Sequence, residues 1–304
     1  MVVLRAEIAS TLYIRAAPGN GRSMGTVLIT GTSSGFGLVT TIELAKRGWN
    51  VVASMRNLSK STTLEVAARA AAVSNRIRLA QLDVTDPTSI ETAVTEIQQS
   101  GSGLDAVVHN AGVAVGSAFE DLPESELRRV METNFFGVLA LTRALLPMFR
   151  AQRRGRIVIV SSNSAYAGEP ANSIYCASKW AIEGWAESLA YEVDPFGIDV
   201  VLIEPGSYRT EIWQTSPRIK PEASPYLPFM LPLEKAIDEK VVRNARDPQE
   251  VGVQIAKALE AAKPRFRYPV GPDARIGHFL RGKIPSRLLR RGITRFLGLN
   301  QVKA

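Results

Sequence analysis

The fold of this chain is decided by the stretch Thr26-Val27-Leu28-Ile29-Thr30-Gly31-Thr32-Ser33-Ser34-Gly35-Phe36-Gly37. Its first five residues form an apolar run typical of a buried strand, and residues 38–46 have the pattern of a helix. Gly31 permits a tight turn between the two, Gly35 lets the backbone approach a phosphate, and Gly37 lets the helix pack closely on the strand. A pyrophosphate placed there would meet the free N–H groups and the positive dipole end of the helix. The stretch therefore predicts a dinucleotide-binding turn, with a purely structural glycine turn as the alternative.

The wider pattern of the chain supports a sheet built from such units. The glycines follow the spacing Gly-x-x-x-Gly-x-Gly, which differs from the usual Gly-x-Gly-x-x-Gly fingerprint of dinucleotide-binding turns. Strand-like runs alternate with helical stretches, at residues 26–30, 50–55, 77–82, 105–109, 156–161 and 198–203. This alternation predicts an α/β fold, and we expect a single-domain, Rossmann-type, doubly wound parallel sheet with helices on both faces.

Composition and charge narrow the class of protein. The chain has 304 residues and a formal net charge of +8. Residues 264–304 hold ten Lys or Arg residues and one acid, a net charge of +9, so residues 1–263 carry a net charge of −1. No apolar run is long enough to cross a membrane, and the single cysteine, Cys176, excludes an intramolecular disulfide and fits a reducing compartment. We therefore expect a cytoplasmic protein. We also expect that it binds no nucleic acid, because no nucleic-acid-binding motif accompanies the basic tail.

A serine, a tyrosine and a lysine can form an acid/base set. Ser162 follows the strand-like run 156–161, and Tyr175 and Lys179 lie in a stretch with helical periodicity over residues 173–193. Residues four apart share a helix face, about 5–6 Å apart at Cβ, so the Lys179 ammonium can lower the pKa of the Tyr175 hydroxyl. The Ser162 hydroxyl can hydrogen-bond a substrate oxygen. For the Tyr–Lys pair by itself, a solvated helix face is the favoured interpretation, because this spacing arises by chance in any helix.

Taken together, the motifs resemble those of one enzyme family. In chain order they are Thr30-Gly31-x-x-x-Gly35-x-Gly37, Asp83-Val84, Asn110-Ala111-Gly112, Asn134, Ser162, Tyr175-x-x-x-Lys179 and Pro205-Gly206. In order and spacing this series is similar to that of the short-chain dehydrogenase/reductases of the classical type, over about residues 24–270. A complete series is more specific than any one motif. The context of Arg56 and the stretch 267–274 also resemble the 17β-hydroxysteroid and retinol dehydrogenase branch.

The resemblance implies a site for hydride and proton transfer. The catalytic residues would be Asn134, Ser162, Tyr175 and Lys179. Asn134 would hold a water that links Lys179 to solvent, Asp83 would contact the adenine, Lys179 the nicotinamide ribose, and Thr210 the carboxamide. The cofactor-binding residues would be Gly31, Ser33, Ser34, Gly35, Phe36, Gly37, Arg56, Asp83, Val84, Asn110, Ala111, Gly112, Tyr175, Lys179, Pro205, Gly206 and Thr210. No metal site is expected.

The second strand-like run bears on which nicotinamide cofactor fits. It ends in Met55-Arg56-Asn57 and offers no acid for the 2′-hydroxyl of NAD. The Arg56 guanidinium, helped by the hydroxyls of Ser33 and Ser34, suits the 2′-phosphate of NADP. We therefore expect NADP rather than NAD, and the alternative for Arg56 is a solvated surface side chain.

Two segments flank the Rossmann-fold domain predicted over residues 24–272. Residues 1–23 are expected to be an extension with a non-native or mis-assigned start, Met24 being the functional beginning, and an amphipathic leader is the alternative. Residues 273–304 form a basic amphipathic tail in which one helical face carries Leu289, Ile293, Phe296 and Leu297. We expect this tail to cover the substrate mouth, with peripheral contact to an anionic membrane surface as the alternative.

The substrate and the assembly are predicted from the remaining segments. Residues 207–246 are rich in proline and lie where the family has its mobile substrate loop, and their bulky apolar side chains are Trp213, Tyr226, Phe229 and Met230. These favour a hydrophobic ligand. We expect an NADP(H)-dependent oxidoreductase that interconverts a lipophilic alcohol with its ketone or aldehyde, Tyr175 being the general acid/base. A catalytically idle NADP-binding regulatory protein is the alternative. The long apolar helical stretches 124–152 and 173–193, with the resemblance, imply a homodimer or homotetramer.

Overall fold

A computed structural model describes residues 24–101 and 103–299 of the chain. Its strands are β1 (Thr26–Thr30), β2 (Asn50–Met55), β3 (Ile77–Gln81), β4 (Ala106–His109), β5 (Gly116–Ser117), β6 (Gly155–Val160), β7 (Ile198–Pro205), β8 (Arg218–Ile219) and β9 (Arg267–Val270). Seven of them form one parallel sheet in the order β3-β2-β1-β4-β6-β7-β9, and β5 pairs with β8 in a small parallel ribbon. The predicted parallel sheet is confirmed.

Helices cover both faces of the sheet. They are α1 (Gly35–Lys46), α2 (Thr62–Ala70), α3 (Pro87–Gln99), α4 (Glu124–Met131), α5 (Gly137–Gln152), α6 (Ser173–Val193), α7 (Ile212–Thr215), α8 (Leu227–Ile237), α9 (Gln249–Glu260), α10 (Pro272–Leu280) and α11 (Ser286–Phe296). Val27 and Ile29 of β1 lie in one core with residues of α1, α2 and α9, whereas Leu28 lies in a second core with residues of α3, α5 and α6. The two cores arise because successive side chains of a strand point to opposite faces.

The glycine turn is tighter than the sequence pattern indicates. Helix α1 begins at Gly35 and not at Leu38, so Gly35 and Gly37 both lie in its first turn. The early start places the helix N-terminus directly at the end of β1, with only the residues from Gly31 to Ser34 between them. The free N–H groups of that terminus therefore face the edge of the sheet where the strands end.

The predicted long helix over 124–152 has an interruption at its middle. Between α4 and α5 the backbone forms a π-helix over Glu132–Phe136, and the buried Asn134 lies within it. A π-turn widens the helix by one residue and is frequent at functional sites. The interruption turns the Asn134 side chain toward the loop after β4, as its hydrogen bonds show below.

Two features of the second half of the chain were not predicted. Strand β9 was missed because it is only four residues long and contains Pro269, and proline in a sheet is confined to positions such as an edge strand. The segment 207–246 shows no clear periodicity in the sequence, yet it forms α7, β8, α8 and a π-helix over Asp238–Val242. Its apolar side chains Met230 and Leu233 pack with Leu297 and Leu299 of the C-terminal tail.

The ends of the chain complete the description. The predictions made for residues 1–23 lie outside the described residues. Within residues 24–101 and 103–299, none of the helices has the length and apolar character needed to span a membrane. The predicted tail helix is present as α11, and α10 precedes it immediately after β9.

Candidate active site

A cavity of about 1590 Å³ opens at the carboxyl ends of β1, β4, β6 and β7. Open parallel sheets bind their ligands at this edge, where the strand order reverses direction. All the predicted site residues line the cavity except Gly37 and Asn134. The structure therefore brings together side chains that lie up to about 180 positions apart in the chain.

The glycine turn fits a pyrophosphate. Gly35 has a φ of +54°, in the left-handed region that favours glycine, and it lies on the cavity wall opposite Thr210. A Cβ at Gly37 would lie 2.1 Å from the carbonyl oxygen of Gly31, so only glycine allows the helix to approach the turn this closely. The result is a concave backbone surface at the N-terminus of α1, whose first turn contains no acidic residue. Such a surface attracts an anion.

Asn110 fastens the end of β4 to the glycine turn. Its Nδ2 donates to the carbonyl oxygens of Thr30 at 2.8 Å and Gly31 at 2.9 Å. The Thr30 hydroxyl in turn accepts from the backbone N–H groups of Asn110 at 3.0 Å and Ala111 at 2.9 Å. These hydrogen bonds fix the spacing between the ends of β1 and β4. The Asn110-Ala111-Gly112 turn therefore shapes the site but takes no part in the proton chemistry.

Two cations stand at the end of the cavity formed by β2. Arg56 and Lys60 both line it, close to Ser33 and Ser34 in the same wall. Lys60 belongs to a short helical turn that starts at Asn57, whose Oδ1 accepts from the Ser59 N–H at 2.9 Å. The sequence interpretation singled out Arg56 alone and missed Lys60. No helical periodicity links the two residues, because Arg56 precedes the turn over Leu58–Lys60.

Asp83 lines the cavity just beyond the end of β3. Its Oδ1 accepts from the backbone N–H of Thr85 at 3.0 Å and from the Thr85 hydroxyl at 2.7 Å. Both Asp83 and Val84 line the cavity. The carboxylate is thus held in place by its own loop and faces the region where the resemblance predicts an adenine.

Ser162, Tyr175 and Lys179 meet at the opposite end of the cavity. The Lys179 ammonium lies 5.6 Å from the centre of the Tyr175 ring and donates to the carbonyl oxygen of Val160 at 2.9 Å. Ser162 lies two residues beyond the end of β6, whereas Tyr175 and Lys179 lie in the first two turns of α6. The i, i+4 spacing read from the sequence therefore places Tyr175 and Lys179 side by side.

Burial dominates the acid/base properties of this group. It raises the pKa of the Tyr175 hydroxyl well above its usual value, and a hydrogen bond from Ser162 only partly opposes this rise. Burial also lowers the pKa of the Lys179 ammonium to about 8, although the negative charge of Glu183 acts in the opposite direction. The predicted lowering of the Tyr175 pKa is therefore not found, because desolvation raises this pKa instead.

Asn134 holds α6, the interrupted helix and the loop after β4 together. Its Oδ1 accepts from the backbone N–H of Val113 at 2.8 Å, and its Nδ2 donates to the Val113 carbonyl at 2.8 Å. The same Nδ2 donates to the Ser178 hydroxyl, 3.1 Å away and next to Lys179 in α6. The predicted role in a water relay stays a prediction, because this geometry shows how the amide is anchored and not what it relays.

A glutamate that the sequence interpretation did not consider shares the wall with Tyr175. Glu169 Oε1 accepts from the Ser164 hydroxyl at 2.9 Å, and its Oε2 accepts from Asn172 at 2.9 Å. The Ser164 hydroxyl lies 3.1 Å from that of Ser162. Burial raises the pKa of Glu169, and its negative charge in turn raises that of Tyr175. Glu169 therefore anchors the loop that carries Ser162, and no recognised motif pointed to it.

Two residues near the site have packing roles. His109 ends β4, is buried, and shares a hydrogen bond of 2.9 Å between its Nε2 and the Thr142 hydroxyl. Burial lowers its pKa to about 3, so the imidazole is neutral. Burial likewise raises the pKa of the Cys176 thiol to about 11, which keeps it protonated and poorly reactive.

The part of the cavity beyond Tyr175 has an apolar wall. It is formed by α8 and by the inner face of α11 and the residue after it, through Met230, Leu233, Ile237, Leu289, Ile293, Phe296 and Leu297. The four tail residues are those predicted to share one helical face. The arginines of α11 lie outside this wall, as the amphipathic pattern requires. The tail therefore forms part of the cavity wall, and its predicted position over the substrate stays a prediction.

Comparison with known proteins identifies the relatives of this chain. Residues 25–220 match the sequence model of the short chain dehydrogenase family. The chain is 38% identical over 255 residues to bovine retinol dehydrogenase 8, an overlap that covers 80% of each protein. It is also 36% identical over 248 residues to the 3-ketodihydrosphingosine reductase of Bacteroides thetaiotaomicron, which covers 81% of this chain and 87% of the reductase. The similarity to the retinol dehydrogenase branch is thus confirmed.

A solved structure supports the same relationship. The crystal structure of a short-chain dehydrogenase from Streptomyces avermitilis superposes with a TM-score of 0.73 and 31% sequence identity. The match covers 93% of this chain and 100% of the other. The chain therefore shares its fold with that short-chain dehydrogenase.

Proposed function

The chain belongs to the short-chain dehydrogenase/reductase family, and we propose that within it the protein interconverts a lipophilic alcohol with its ketone or aldehyde, using NADP(H) in preference to NAD(H). Membership of the family makes it an oxidoreductase that acts on CH–OH groups with a nicotinamide dinucleotide. The proposal adds the class of substrate, the choice of cofactor and the residues that perform the proton transfer. The alternative of a catalytically idle regulator loses its support, because the relatives are oxidoreductases.

The proton chemistry is assigned to Tyr175. A bound nicotinamide dinucleotide supplies the hydride in reduction and accepts it in oxidation. In reduction, the Tyr175 hydroxyl gives its proton to the substrate oxygen as the carbonyl carbon is reduced, and in oxidation the proton returns. The Ser162 hydroxyl orients that oxygen. The Lys179 ammonium stabilises the phenolate left on Tyr175, which offsets the effect of burial.

The preference for NADP rests on charge at the β2 end of the cavity. Arg56 and Lys60 are available there for a 2′-phosphate, and Ser33 and Ser34 offer hydroxyl groups. The run Met55-Arg56-Asn57 provides no carboxylate for the 2′-hydroxyl of NAD. A dianionic phosphate between two cations gains charge-assisted hydrogen bonds that NAD cannot form.

The class of substrate rests on one observation, the apolar wall formed by α8 and α11. Met230, Leu233, Ile293 and Leu297 face the cavity beyond Tyr175. A ligand that covers this apolar surface removes it from water, which stabilises the complex by about 25 cal/mol for each Å² covered. The relatives named for retinol and for 3-ketodihydrosphingosine also act on molecules with long hydrocarbon parts. We therefore propose a substrate of comparable size and polarity.

The outer side of α10 and α11 is proposed to make peripheral contact with an anionic membrane surface. Ile276, Phe279 and Leu288 are exposed there, and Lys283 lies 3.7 Å from the centre of the Phe279 ring. Exposed apolar side chains among basic residues suit the interface of a negatively charged bilayer. Co-sedimentation with vesicles that contain anionic lipid, and none with neutral vesicles, is expected. Equal recovery with both kinds of vesicle would end this part of the proposal.

A panel of carbonyl compounds tests the proposed function. The wild-type chain is incubated with NADPH or NADH and with ketones and aldehydes that range from small polar sugars to retinoid-sized and long-chain molecules. Consumption of NADPH with the large lipophilic members, and little with the sugars, is expected. If only small polar carbonyls react, the substrate class is wrong. If NADH is used with the higher kcat/KM, the choice of cofactor is wrong.

A further inference from the structure

A cluster of buried charges lies behind the catalytic end of the cavity. At its centre Arg267 of β9 bonds Glu183 of α6 at 2.9 Å through Nη2, and its Nε lies 3.1 Å from Glu204 of β7. The Glu183 and Glu204 side chains are 2% and 0% exposed. Buried carboxylates are costly unless cations and hydrogen bonds compensate them. Well-packed apolar residues are often at least as stable, so stability alone does not account for the cluster.

Helix α10 closes the cluster on its far side. His278 Nδ1 lies 3.4 Å from Glu204 Oε2, and the Tyr166 hydroxyl donates a short hydrogen bond to the same oxygen. Arg281 Nη1 lies 3.6 Å from Glu183 Oε2. Burial and nearby positive charge lower the pKa of His278, so it adds little positive charge near neutral pH. Arg281, which directly follows α10, is thus the charged group on this side of the cluster.

The cluster reaches the active site through Glu183. Lys179 and Glu183 are four residues apart in α6, so their side chains share one helix face. Glu183 Oε2 takes part in the contacts with Arg267, whereas Glu183 Oε1 has no hydrogen-bond partner among the described residues. The negative charge of Glu183 acts on the Lys179 ammonium and favours its charged form. Tyr175 lies beside Lys179, and the cluster behind Glu183 contains Glu187 of α6, Glu204 of β7, Arg267 of β9, His278 of α10, Arg281 and Tyr166.

We propose that Glu183 is a positioning residue that keeps Lys179 charged, and that Arg281, the residue after α10, limits its effect, so that the docking of α10 tunes the acid/base set. The inference rests on the place of Lys179 in the proposed function. It goes beyond that function because neither Glu183 nor Arg281 touches the cavity or belongs to the motif series of the family resemblance. Both act on the reaction only through Lys179.

The two residues are expected to have opposite effects on Lys179. Replacing Glu183 by Gln keeps the shape of the side chain but removes the negative charge, so the pKa of Lys179 should fall below its value of about 8. Replacing Arg281 by Met keeps the bulk but removes a cation, so Glu183 acts more strongly and the pKa of Lys179 should rise. A shift of about one unit is expected for Glu183→Gln. A role in folding alone would not reverse sign between two neighbours.

The experiment measures the pKa of Lys179 directly. The full chain is labelled with ¹³Cε-lysine, the Lys179 signal is identified by its loss in Lys179→Arg, and its chemical shift is titrated with pH in each variant. Glu187→Gln is the matched control, because Glu187 also contacts Arg267 but its side chain is 51% exposed and screened by water. It should shift the pKa far less than Glu183→Gln. In turnover assays, the pH at which oxidation declines on the alkaline side should move in the same direction as the pKa.

The outcomes are distinct. A Lys179 pKa that is unchanged or raised in Glu183→Gln overturns the proposal, as does a shift in Glu187→Gln of equal size. If Glu183→Gln does not fold, Arg281→Met decides alone, since its side chain is 36% exposed and its loss is better tolerated. A pKa that is unchanged or lowered in that variant overturns the proposal. The titration requires no turnover, so a failure of the proposed function would appear in the carbonyl panel and not here.

Discussion

At the residue scale, the acid/base chemistry of the site depends on the charge of Lys179. Burial lowers the pKa of its ammonium to about 8, and Glu183 acts against this. Burial also raises the pKa of Tyr175, so the tyrosine needs a charged lysine beside it if it is to lose its proton near working pH. The two residues form one acid/base unit, and a change that neutralises either of them should affect the other.

The choice of cofactor is also decided by single residues. Replacing Arg56 by Asp should move the preference from NADP toward NAD by at least about tenfold in kcat/KM, because a carboxylate repels a 2′-phosphate and accepts from a 2′-hydroxyl. Initial rates with both cofactors measure the shift. Arg78→Asp is the matched control, since this exposed arginine of β3 does not line the cavity and should leave the preference unchanged. A wild-type protein that already prefers NAD contradicts the assignment of Arg56.

At the element scale, the sequence predicted the elements that depend on a local pattern. A short apolar or helical period indicates each of the β1–α1 turn, helix α6 and the six sheet strands β1, β2, β3, β4, β6 and β7. Strand β9 and the helices of segment 207–246 could not, because Pro269 and Pro232 interrupt the patterns that would reveal them. The charge cluster joins residues from α6, β7, β9 and α10, which only the topology brings together.

Helix α11 is expected to bind the lipophilic end of the substrate. Removing residues 285–304 should raise KM for a large lipophilic substrate by at least about tenfold and change NADPH affinity little, since one apolar side chain buried by a ligand contributes about 1.5–3 kcal/mol. Kinetic constants with NADPH and one such substrate provide the measurement. The cut spares α10, because Asp273 accepts from the Ser207 N–H at 2.7 Å and Arg281 belongs to the charge cluster.

A pair of point variants controls for the loss of a whole segment. Ile293→Asn changes a residue of the cavity wall, whereas Arg291→Asn changes an exposed residue on the same helix. The first should raise KM for the lipophilic substrate, and the second should not. An unaltered KM in both the truncated chain and Ile293→Asn would show that the substrate does not lie against α11.

At the scale of the whole molecule, the outer surface of α4, α5 and α6 predicts an assembly of at least two copies. Phe136 is 47% exposed on this surface and Trp180 of α6 is also exposed, which is costly unless a second copy covers them. Phe136→Glu should therefore reduce the mass measured by light scattering at micromolar protein to that of a 33.1 kDa monomer. Val66→Glu, an equally exposed site on α2, should leave it unchanged. A monomeric wild-type protein would refute the predicted dimer.

The central claim is that Tyr175 transfers the proton while a nicotinamide cofactor transfers the hydride. It is tested most directly by single-turnover reduction of a lipophilic ketone with NADPH deuterated at the transferred position, in the wild type and in Tyr175→Phe, with cofactor affinity measured in parallel. We predict deuterium on the carbinol carbon of the product in the wild type. In Tyr175→Phe we predict a rate lower by at least about a hundredfold with nearly unchanged NADPH affinity. Deuterium transfer at the wild-type rate in Tyr175→Phe would contradict the account.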